Sequence, residues 1–90
     1  MIKEFLIVKL LELMTTEGCH LCDQALPLLV EGIDPAKFEV DLVDIAFEDE
    51  LMNQYATRIP VLVEPQTKQS LDWPFDAAQL AQFIQSIERQ

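Results

Sequence analysis

The sequence predicts an α/β fold with a four-stranded mixed sheet flanked by helices, in the order βαβ–α–ββ–α. Three observations carry this prediction. An apolar run leads through a glycine into a pair of cysteines and an amphipathic segment, which indicates a strand followed by a helix. A segment that alternates apolar and acidic residues supplies a second strand. The last third holds two short strands around a turn and a capped amphipathic helix.

The first strand and the first helix lie on either side of the cysteines. The strand is predicted over Lys9–Thr15, and it is expected to be central because it is apolar on both faces. The helix is predicted from about His20 to Glu31, with Gly32 as its C-terminal stop. Pro27 removes a backbone donor and crowds the preceding turn, so we expect a kink there without a break. The helical spacing places the apolar face on Leu21, Ala25, Leu28 and Leu29.

The middle of the chain predicts a strand and a short helix. The strand is predicted over Phe38–Ile45, after a turn at Asp34 and Pro35, and it completes a βαβ unit with a right-handed crossover. The helix is predicted from Glu48 to Ala56, with its acids in the first turn, where the helix dipole favours them. Its apolar face is expected to consist of Leu51, Met52 and Tyr55.

The last part of the chain predicts a hairpin and a final helix. The third strand is predicted over Pro60–Glu64, and the fourth, antiparallel strand over residues 69–73 after a turn at 65–68. Asp76 is expected to cap the helix in a capping box with Gln79. Phe75 is expected in the core, and Trp73 fits either the core or a peptide groove. The inward stripe of the helix is expected to be Leu80, Phe83, Ile84 and Ile87.

Cys19 and Cys22 are the candidate reactive groups. A sulfur at the start of a helix faces unpaired N–H groups and the positive end of the helix dipole, and both favour the thiolate. Cys22 lies one turn further along the same face, close enough to form a small disulfide ring. We therefore expect Cys19 to be the exposed attacking sulfur and Cys22 the shielded resolving sulfur. Gly18 permits the sharp turn before the helix.

The same cysteines could instead form half of a metal site or be chemically inert. Structural zinc usually takes four ligands, and this chain offers two cysteines and one histidine, His20, which lies between them. Acidic residues could complete a site, but no spacing points to them. No metal ligand is therefore assigned, and a redox dithiol is the preferred interpretation.

Length, charge and hydropathy limit the class of protein. Ninety residues, half of them apolar, predict a single globular domain over residues 1–90, in which residues 1–8 either extend the first strand or form a separate edge segment. No apolar run is long enough to span a bilayer and no secretion-signal cleavage site is found, so we expect a cytoplasmic protein. The net charge of −10, from 16 acidic and 6 basic residues, disfavours binding to nucleic acids and to anionic membranes.

Three segments together carry a resemblance to a known family. They are residues 15–22 (Thr-Thr-Glu-Gly-Cys-His-Leu-Cys), residues 58–62 (Arg-Ile-Pro-Val-Leu) and residues 73–76 (Trp-Pro-Phe-Asp). With the predicted element order, they resemble the small glutaredoxin-like proteins of the thioredoxin-fold superfamily over most of the chain. The resemblance implies a thiol–disulfide oxidoreductase with Cys19 as the nucleophile. It also implies a cis-proline beside the dithiol, and Pro60 occupies that place.

Two segments depart from ordinary glutaredoxins, which hold glutathione with a basic residue before the motif and a Gly-Gly-x-Asp-like turn before the last helix. Here Thr15, Thr16 and Glu17 precede the motif, and the late turn is Trp-Pro-Phe-Asp. The acidic surface also disfavours anionic glutathione. We therefore expect glutathione, although a possible ligand, to be a poorer partner than protein thiols or disulfides, thioredoxin among them. We also expect no cofactor, and a monomer.

Four residues are candidates for substrate binding. His20 could stabilise the thiolate as an imidazolium, or it could be an exposed spacer. Arg58 could attract an anionic substrate or the thiolate, but a surface ion pair with nearby acids is the preferred interpretation. Ile59 and Pro60 are expected beside the dithiol, although Pro60 could also be an ordinary proline at a strand start.

The sequence thus predicts a thiol–disulfide oxidoreductase that works by dithiol exchange. Two alternatives stay open. The first is a module that binds a metal or a cluster shared across a dimer through Cys19. The second is a thioredoxin-fold interaction domain whose cysteines do not turn over.

Overall fold

Four β-strands and three α-helices follow one another along residues 8–89, the part of the chain that the computed structural model describes. They are β1 (Lys9–Thr15), α1 (His20–Gly32), β2 (Phe38–Asp44), α2 (Asp49–Tyr55), β3 (Val61–Glu64), β4 (Gln69–Asp72) and α3 (Ala77–Glu88). A 3₁₀ turn, Ile45–Phe47, joins β2 to α2. The predicted order of elements and the predicted fold class are confirmed.

The strands form one mixed sheet in the order β2-β1-β3-β4. β1 pairs in parallel with β2, from Lys9 opposite Phe38 to Thr15 opposite Asp44. It pairs antiparallel with β3, where Leu13 lies opposite Leu62, and β3 pairs antiparallel with β4. β1 is therefore the inner strand between a parallel and an antiparallel neighbour, as its apolar faces predicted.

The two faces of the sheet carry separate apolar clusters. The larger cluster lies beneath α1 and α3, and its buried members are Leu11, Leu13, Ala25, Leu29, Ile33, Phe38, Leu62, Phe75, Leu80, Phe83 and Ile87. The smaller cluster lies beneath α2 on the opposite face, and its buried members are Met14, Ile45, Tyr55, Val61 and Val63. The alternation of β1 explains this division, because Leu11 and Leu13 point to one face and Met14 to the other.

The capping box predicted for α3 is confirmed. The Gln79 N–H donates to Asp76 Oδ1 at 2.8 Å, and the Asp76 N–H donates to Gln79 Oε1 at 2.9 Å. These bonds satisfy two backbone donors that the first turn of a helix leaves without partners. Three residues of the predicted inward stripe, Leu80, Phe83 and Ile87, are buried, and Ile84 is partly buried against the same cluster.

Gly32 does not end α1 as predicted, because it forms the last helical residue and Ile33 is the C-cap. The glycine meets a packing requirement instead. A Cβ at this position would lie 2.6 Å from Cδ2 of the fully buried Leu80. Gly32 therefore allows α1 and α3 to approach closely. α1 continues through Pro27, so the proline does not break the helix.

Several predicted boundaries and faces need correction. β2 ends at Asp44 rather than Ile45, because the Asp44 carboxylate accepts the Ala46 N–H and begins the 3₁₀ turn. The apolar face of α2 is Leu51 and Tyr55, whereas Met52 is exposed. In α1, Leu21 is exposed and Ala25 and Leu29 are buried. The expectation for residues 1–8 falls outside the described part of the chain, except for the exposed Val8.

A buried carboxylate, Glu64, ends β3, and no pattern in the sequence predicted its burial. Its side chain has no exposed surface. One oxygen accepts the Gln66 N–H at 2.9 Å, and the other accepts the Thr67 N–H at 2.9 Å and the Thr67 hydroxyl at 2.7 Å. These bonds organise the turn between β3 and β4, and the turn also brings Lys68 to a positive φ of 66°.

Opposing effects act on the pKa of Glu64, and the net direction is downward. Burial raises the pKa. The hydrogen bonds from Thr67 and Gln66 and the charge of Lys9 lower it, and their combined effect is larger than that of burial. A carboxyl whose pKa is lower in the folded state stabilises the fold above its unfolded pKa. That stabilisation is lost as the pH falls through the folded pKa.

We predict that Glu64→Gln lowers the free energy of unfolding at pH 7 by about 2 kcal/mol, because the amide cannot accept all three hydrogen bonds made to the carboxylate. Urea unfolding measures the difference, and Glu39→Gln on the exposed side of β2 is the control. The difference between wild type and Glu64→Gln should shrink as the pH falls toward and through the folded pKa of Glu64. Equal stability at pH 7 would contradict the assignment.

Candidate active site

A tight turn connects β1 to α1 and sets the position of the first cysteine. The Cys19 N–H donates to the Thr16 carbonyl at 3.4 Å, which closes a turn over four residues. Gly18, the third residue of this turn, has a φ of 79°. A positive φ at that place is typical of a type II turn and costs a residue with a Cβ roughly 1–2 kcal/mol. The sequence places glycine where the turn requires it.

The start of this turn is tied to the end of β2. The Thr16 hydroxyl donates to Asp44 Oδ1 at 3.0 Å, and the same oxygen accepts the Ala46 N–H at 2.9 Å. Asp44 thus holds both the loop that leads to the cysteines and the 3₁₀ turn that follows β2. Sequence reasoning missed this role, because Asp44 is one of several alternating acids in β2 and only the parallel register brings it beside Thr16.

Cys19 and Cys22 are joined by a disulfide across the first turn of α1, with their Cα atoms 5.3 Å apart. Cys19 is the N-cap residue, and its Sγ accepts the Cys22 N–H at 3.2 Å. Cys22 is buried, with 3% of its surface exposed, whereas Cys19 is half-buried. The two cysteines therefore differ in exposure, and the sulfur of the more exposed one accepts the hydrogen bond from the Cys22 N–H.

Charged groups near the cysteines are few and mostly acidic. Glu17 and Asp23 are exposed on either side of the pair, and His20 is exposed immediately after Cys19. In the described part of the chain the His20 ring takes part in no hydrogen bond or ion pair. The N-terminal end of α1, where Cys19 is the N-cap residue, therefore supplies positive potential at the Cys19 sulfur.

The segment before β3 lies on the other side of the cysteine turn. The Ile59–Pro60 peptide bond is cis, and one step beyond the last β1–β3 pair Pro60 is level with Thr15. The Ile59 N–H donates to the Tyr55 carbonyl at 3.0 Å, and the Pro60 carbonyl accepts the Trp73 N–H at 3.1 Å. Among the described residues none donates to the Ile59 carbonyl, so this dipeptide leaves one backbone acceptor for a partner.

Arg58 forms the surface ion pair that was the preferred interpretation. Its Nε and Nη2 donate to the two carboxylate oxygens of Asp72 at 2.9 and 2.8 Å, and its guanidinium lies 5.1 Å from the centre of the Tyr55 ring. The hydrogen bond from Arg58 lowers the pKa of Asp72 against the opposing effect of burial, and the same bond raises the pKa of Arg58. The charge of Arg58 is therefore matched locally by Asp72.

The late Trp-Pro-Phe-Asp segment contributes to the core. Phe75 is buried as predicted, and Trp73 packs half-buried against the same cluster. Their rings meet edge to face, with centres 5.1 Å apart. The Trp73–Pro74 bond is a second cis peptide bond, which sequence reasoning did not predict. Of the two interpretations of Trp73, the core and a peptide groove, the structure supports the core.

The described residues contain neither a cluster of metal-binding side chains nor a membrane-spanning helix. Among residues 8–89 no group of three or more His, Cys, Asp or Glu side chains is placed to hold a metal ion. None of the described helices is long and apolar enough to cross a membrane.

The fold and the cysteine pair define a small protein of thioredoxin-like fold with a dithiol/disulfide site at a helix start. The family described as Glutaredoxin-like domain matches residues 10–85, and the chain belongs to this family. The X-ray structure of the structural genomics target protein XcR50 from X. campestris is similar, with a TM-score of 0.73 and 37% sequence identity. The match covers 84% of this chain and 96% of that one. No curated protein matches the sequence.

We predict that Thr16→Val destabilises the oxidised protein by about 1 kcal/mol, because valine keeps the shape of threonine but cannot donate to Asp44. The loss should be local, so the amide of Cys19 should exchange with solvent faster while the amides of α3 are unchanged. Urea unfolding and hydrogen exchange measure the two effects. Thr57→Val, at an exposed threonine after α2, is the control. An unchanged Cys19 amide would show that the hydroxyl does not hold the turn.

Proposed function

We propose that this protein is a thiol–disulfide oxidoreductase that works by dithiol exchange, with Cys19 as the attacking sulfur and Cys22 as the resolving sulfur. The observation that carries the proposal is the unequal burial of two cysteines already joined across the first turn of α1. An accessible sulfur can meet an external disulfide. A shielded sulfur one turn away can meet only the first.

The exchange proceeds in two displacements. The Cys19 thiolate attacks one sulfur of the partner disulfide, forms a new S–S bond with it, and expels the other partner sulfur as a thiolate with the bonding electron pair. Cys22 then loses its proton and attacks the Cys19 sulfur, which closes the Cys19–Cys22 disulfide and releases the second partner thiolate. Two electrons pass to the partner, its thiolates take up two protons, and an external thiol must reduce the protein again.

The start of α1 supports the first displacement. The Cys22 N–H that donates to Cys19 Sγ in the oxidised protein is placed to donate to the thiolate in the reduced protein, where a charged acceptor strengthens the bond. The helix dipole acts in the same direction. His20 adds positive charge beside the thiolate whenever its exposed ring is protonated.

The segment before β3 supports a protein as the partner. The proposed substrate-binding residues Ile59 and Pro60 offer one carbonyl, because their other backbone groups are used within the fold. A partner chain that lies along this segment would therefore donate one N–H to the Ile59 carbonyl. Arg58 contributes little attraction for an anionic substrate, since Asp72 neutralises it.

We predict that Cys22→Ser accumulates mixed disulfides with substrates, because attack by Cys19 is intact and resolution is blocked. Cys19→Ser should form none, since Cys22 is shielded. Incubation with a disulfide-bonded protein such as insulin, followed by non-reducing mass spectrometry, measures the adducts. Absence of any adduct with Cys22→Ser would exclude dithiol exchange and favour a non-catalytic domain. Metal recovered with anaerobically purified protein would favour the metal or cluster alternative.

We also predict that glutathione reduces the oxidised protein more slowly than a reduced thioredoxin does. Glutathione carries a net negative charge toward a chain of net charge −10. At physiological salt the screening length is about 8 Å, so the acids nearest the disulfide, Glu17 and Asp23, matter most. The rates of reduction are compared at low and high salt. Glu17→Gln should accelerate the reduction by glutathione, whereas Glu31→Gln, on the last turn of α1, should not change it. Fast reduction by glutathione at both salt concentrations would overturn this prediction.

A further inference from the structure

We infer that the side of the disulfide formed by the β2–α2 connection is a docking surface for a basic protein segment that carries an apolar residue near its reacting cysteine. The inference rests on the proposed function, because it names the class of partner that the dithiol meets. The surface is defined by Leu21, Leu42 and Phe47 and by the acidic residues around them.

Three exposed apolar side chains lie at the end of the sheet that holds the disulfide. Leu21 is in the first turn of α1 and is 46% exposed. Leu42 is two residues before the end of β2 and is 60% exposed, and Phe47 ends the 3₁₀ turn and is 84% exposed. α1 begins and β2 ends at the same edge of the sheet, because β1 and β2 are parallel and Thr15 lies opposite Asp44.

The 3₁₀ turn that carries Phe47 is fixed relative to the cysteine turn. Asp44 accepts both the Thr16 hydroxyl and the Ala46 N–H, so one carboxylate oxygen joins the two segments. A single exposed apolar residue needs no explanation on a protein surface. A phenylalanine on a turn tied to the reactive loop is an anchor of the kind that carries binding energy at protein interfaces.

The charge around these side chains has one sign. The acids of the β1–α1 turn, the start of α1, the end of β2 and the start of α2 are Glu17, Asp23, Asp44, Glu48, Asp49 and Glu50. Between Leu10 and Thr57 the sole lysine or arginine is Lys37. Lys37 lies just before the start of β2, at the opposite end of that strand, and pairs with Glu88 at 3.6 Å.

The other side of the disulfide, formed by the segment before β3 and the end of β4, does not carry an excess of negative charge. Arg58 and Asp72 form a matched pair before β3 and at the end of β4, and Trp73 packs half-buried against the larger cluster. The charge complementarity therefore selects the occupant. A basic segment is attracted by the acidic surface, and its apolar residue finds Phe47, Leu21 and Leu42 exposed at the edge of the sheet where α1 begins.

The experiment uses the reduced Cys22→Ser protein, which reacts once, through Cys19. The probes are nonapeptides with one cysteine activated as a 2-pyridyl disulfide, and attack by Cys19 releases 2-thiopyridone, which is followed by absorbance. One peptide carries four lysines and a leucine beside the cysteine, a second has glutamates in place of the lysines, and a third has serine in place of the leucine. The 2-pyridyl disulfide of mercaptoethanol is a neutral probe too small to dock.

At 50 mM salt the lysine peptide should react at least about tenfold faster than the glutamate peptide, and at 1 M salt the ratio should fall below about two. Phe47→Ser should slow the lysine–leucine peptide about fivefold and the serine peptide much less. Glu48→Gln with Glu50→Gln should reduce the charge preference. The matched controls are Val30→Ser and the pair Glu31→Gln with Glu39→Gln, at exposed positions near the end of α1 and the start of β2. They should change neither the rate with the lysine–leucine peptide nor the ratio of the lysine to the glutamate peptide.

The outcomes separate the two proposals. If the neutral probe releases no 2-thiopyridone, the proposed function fails and the docking surface fails with it. If the neutral probe reacts but all three peptides react at equal rates, or Phe47→Ser and Val30→Ser behave alike, the docking surface is wrong and the oxidoreductase proposal stands.

Discussion

The double pairing of β1 determines what surrounds the cysteines. A parallel neighbour ends at the same edge of the sheet as β1, so Asp44 of β2 arrives beside Thr16. An antiparallel neighbour begins at that edge, so the cis Ile59–Pro60 segment arrives on the other side. The loop between β1 and α1 therefore lies between the end of one strand and the start of another. The dithiol and its surroundings come from these three connections.

This arrangement gives the site two unlike sides. On the side of β3, Arg58 and Asp72 cancel one another, and most backbone groups of Ile59 and Pro60 are used within the fold. On the side of β2, the acids from Glu17 to Glu50 form no ion pair within the described part of the chain, and apolar side chains are exposed. A partner in the proposed exchange would thus find a single hydrogen-bond acceptor on one side and both charge and apolar area on the other.

The sequence predicted those features that local chemistry dictates. β1, α1 and the capping box of α3 follow from apolar periodicity, a glycine turn and paired polar residues, and the structure confirms them. The sequence alone could not identify contacts that depend on strand register, such as Thr16 with Asp44 or Arg58 with Asp72, because any of several acids satisfies the same pattern. Gly32 was misread for the same reason, since its partner Leu80 lies 48 residues away along the chain.

Unequal burial of the two cysteines also has a kinetic consequence for the proposed exchange. Cys22 is almost inaccessible from solvent, but the Cα of Cys19 is 5.3 Å away and the hydrogen bond from the Asp23 N–H to the Cys19 carbonyl, 3.3 Å long, holds the first turn of α1. Attack by Cys22 on a mixed disulfide at Cys19 is therefore intramolecular and preorganised, whereas a second external thiol must diffuse to the same sulfur. Resolution within the protein should then outrun capture by external thiols, so that a bound partner leaves as a thiol rather than remaining attached.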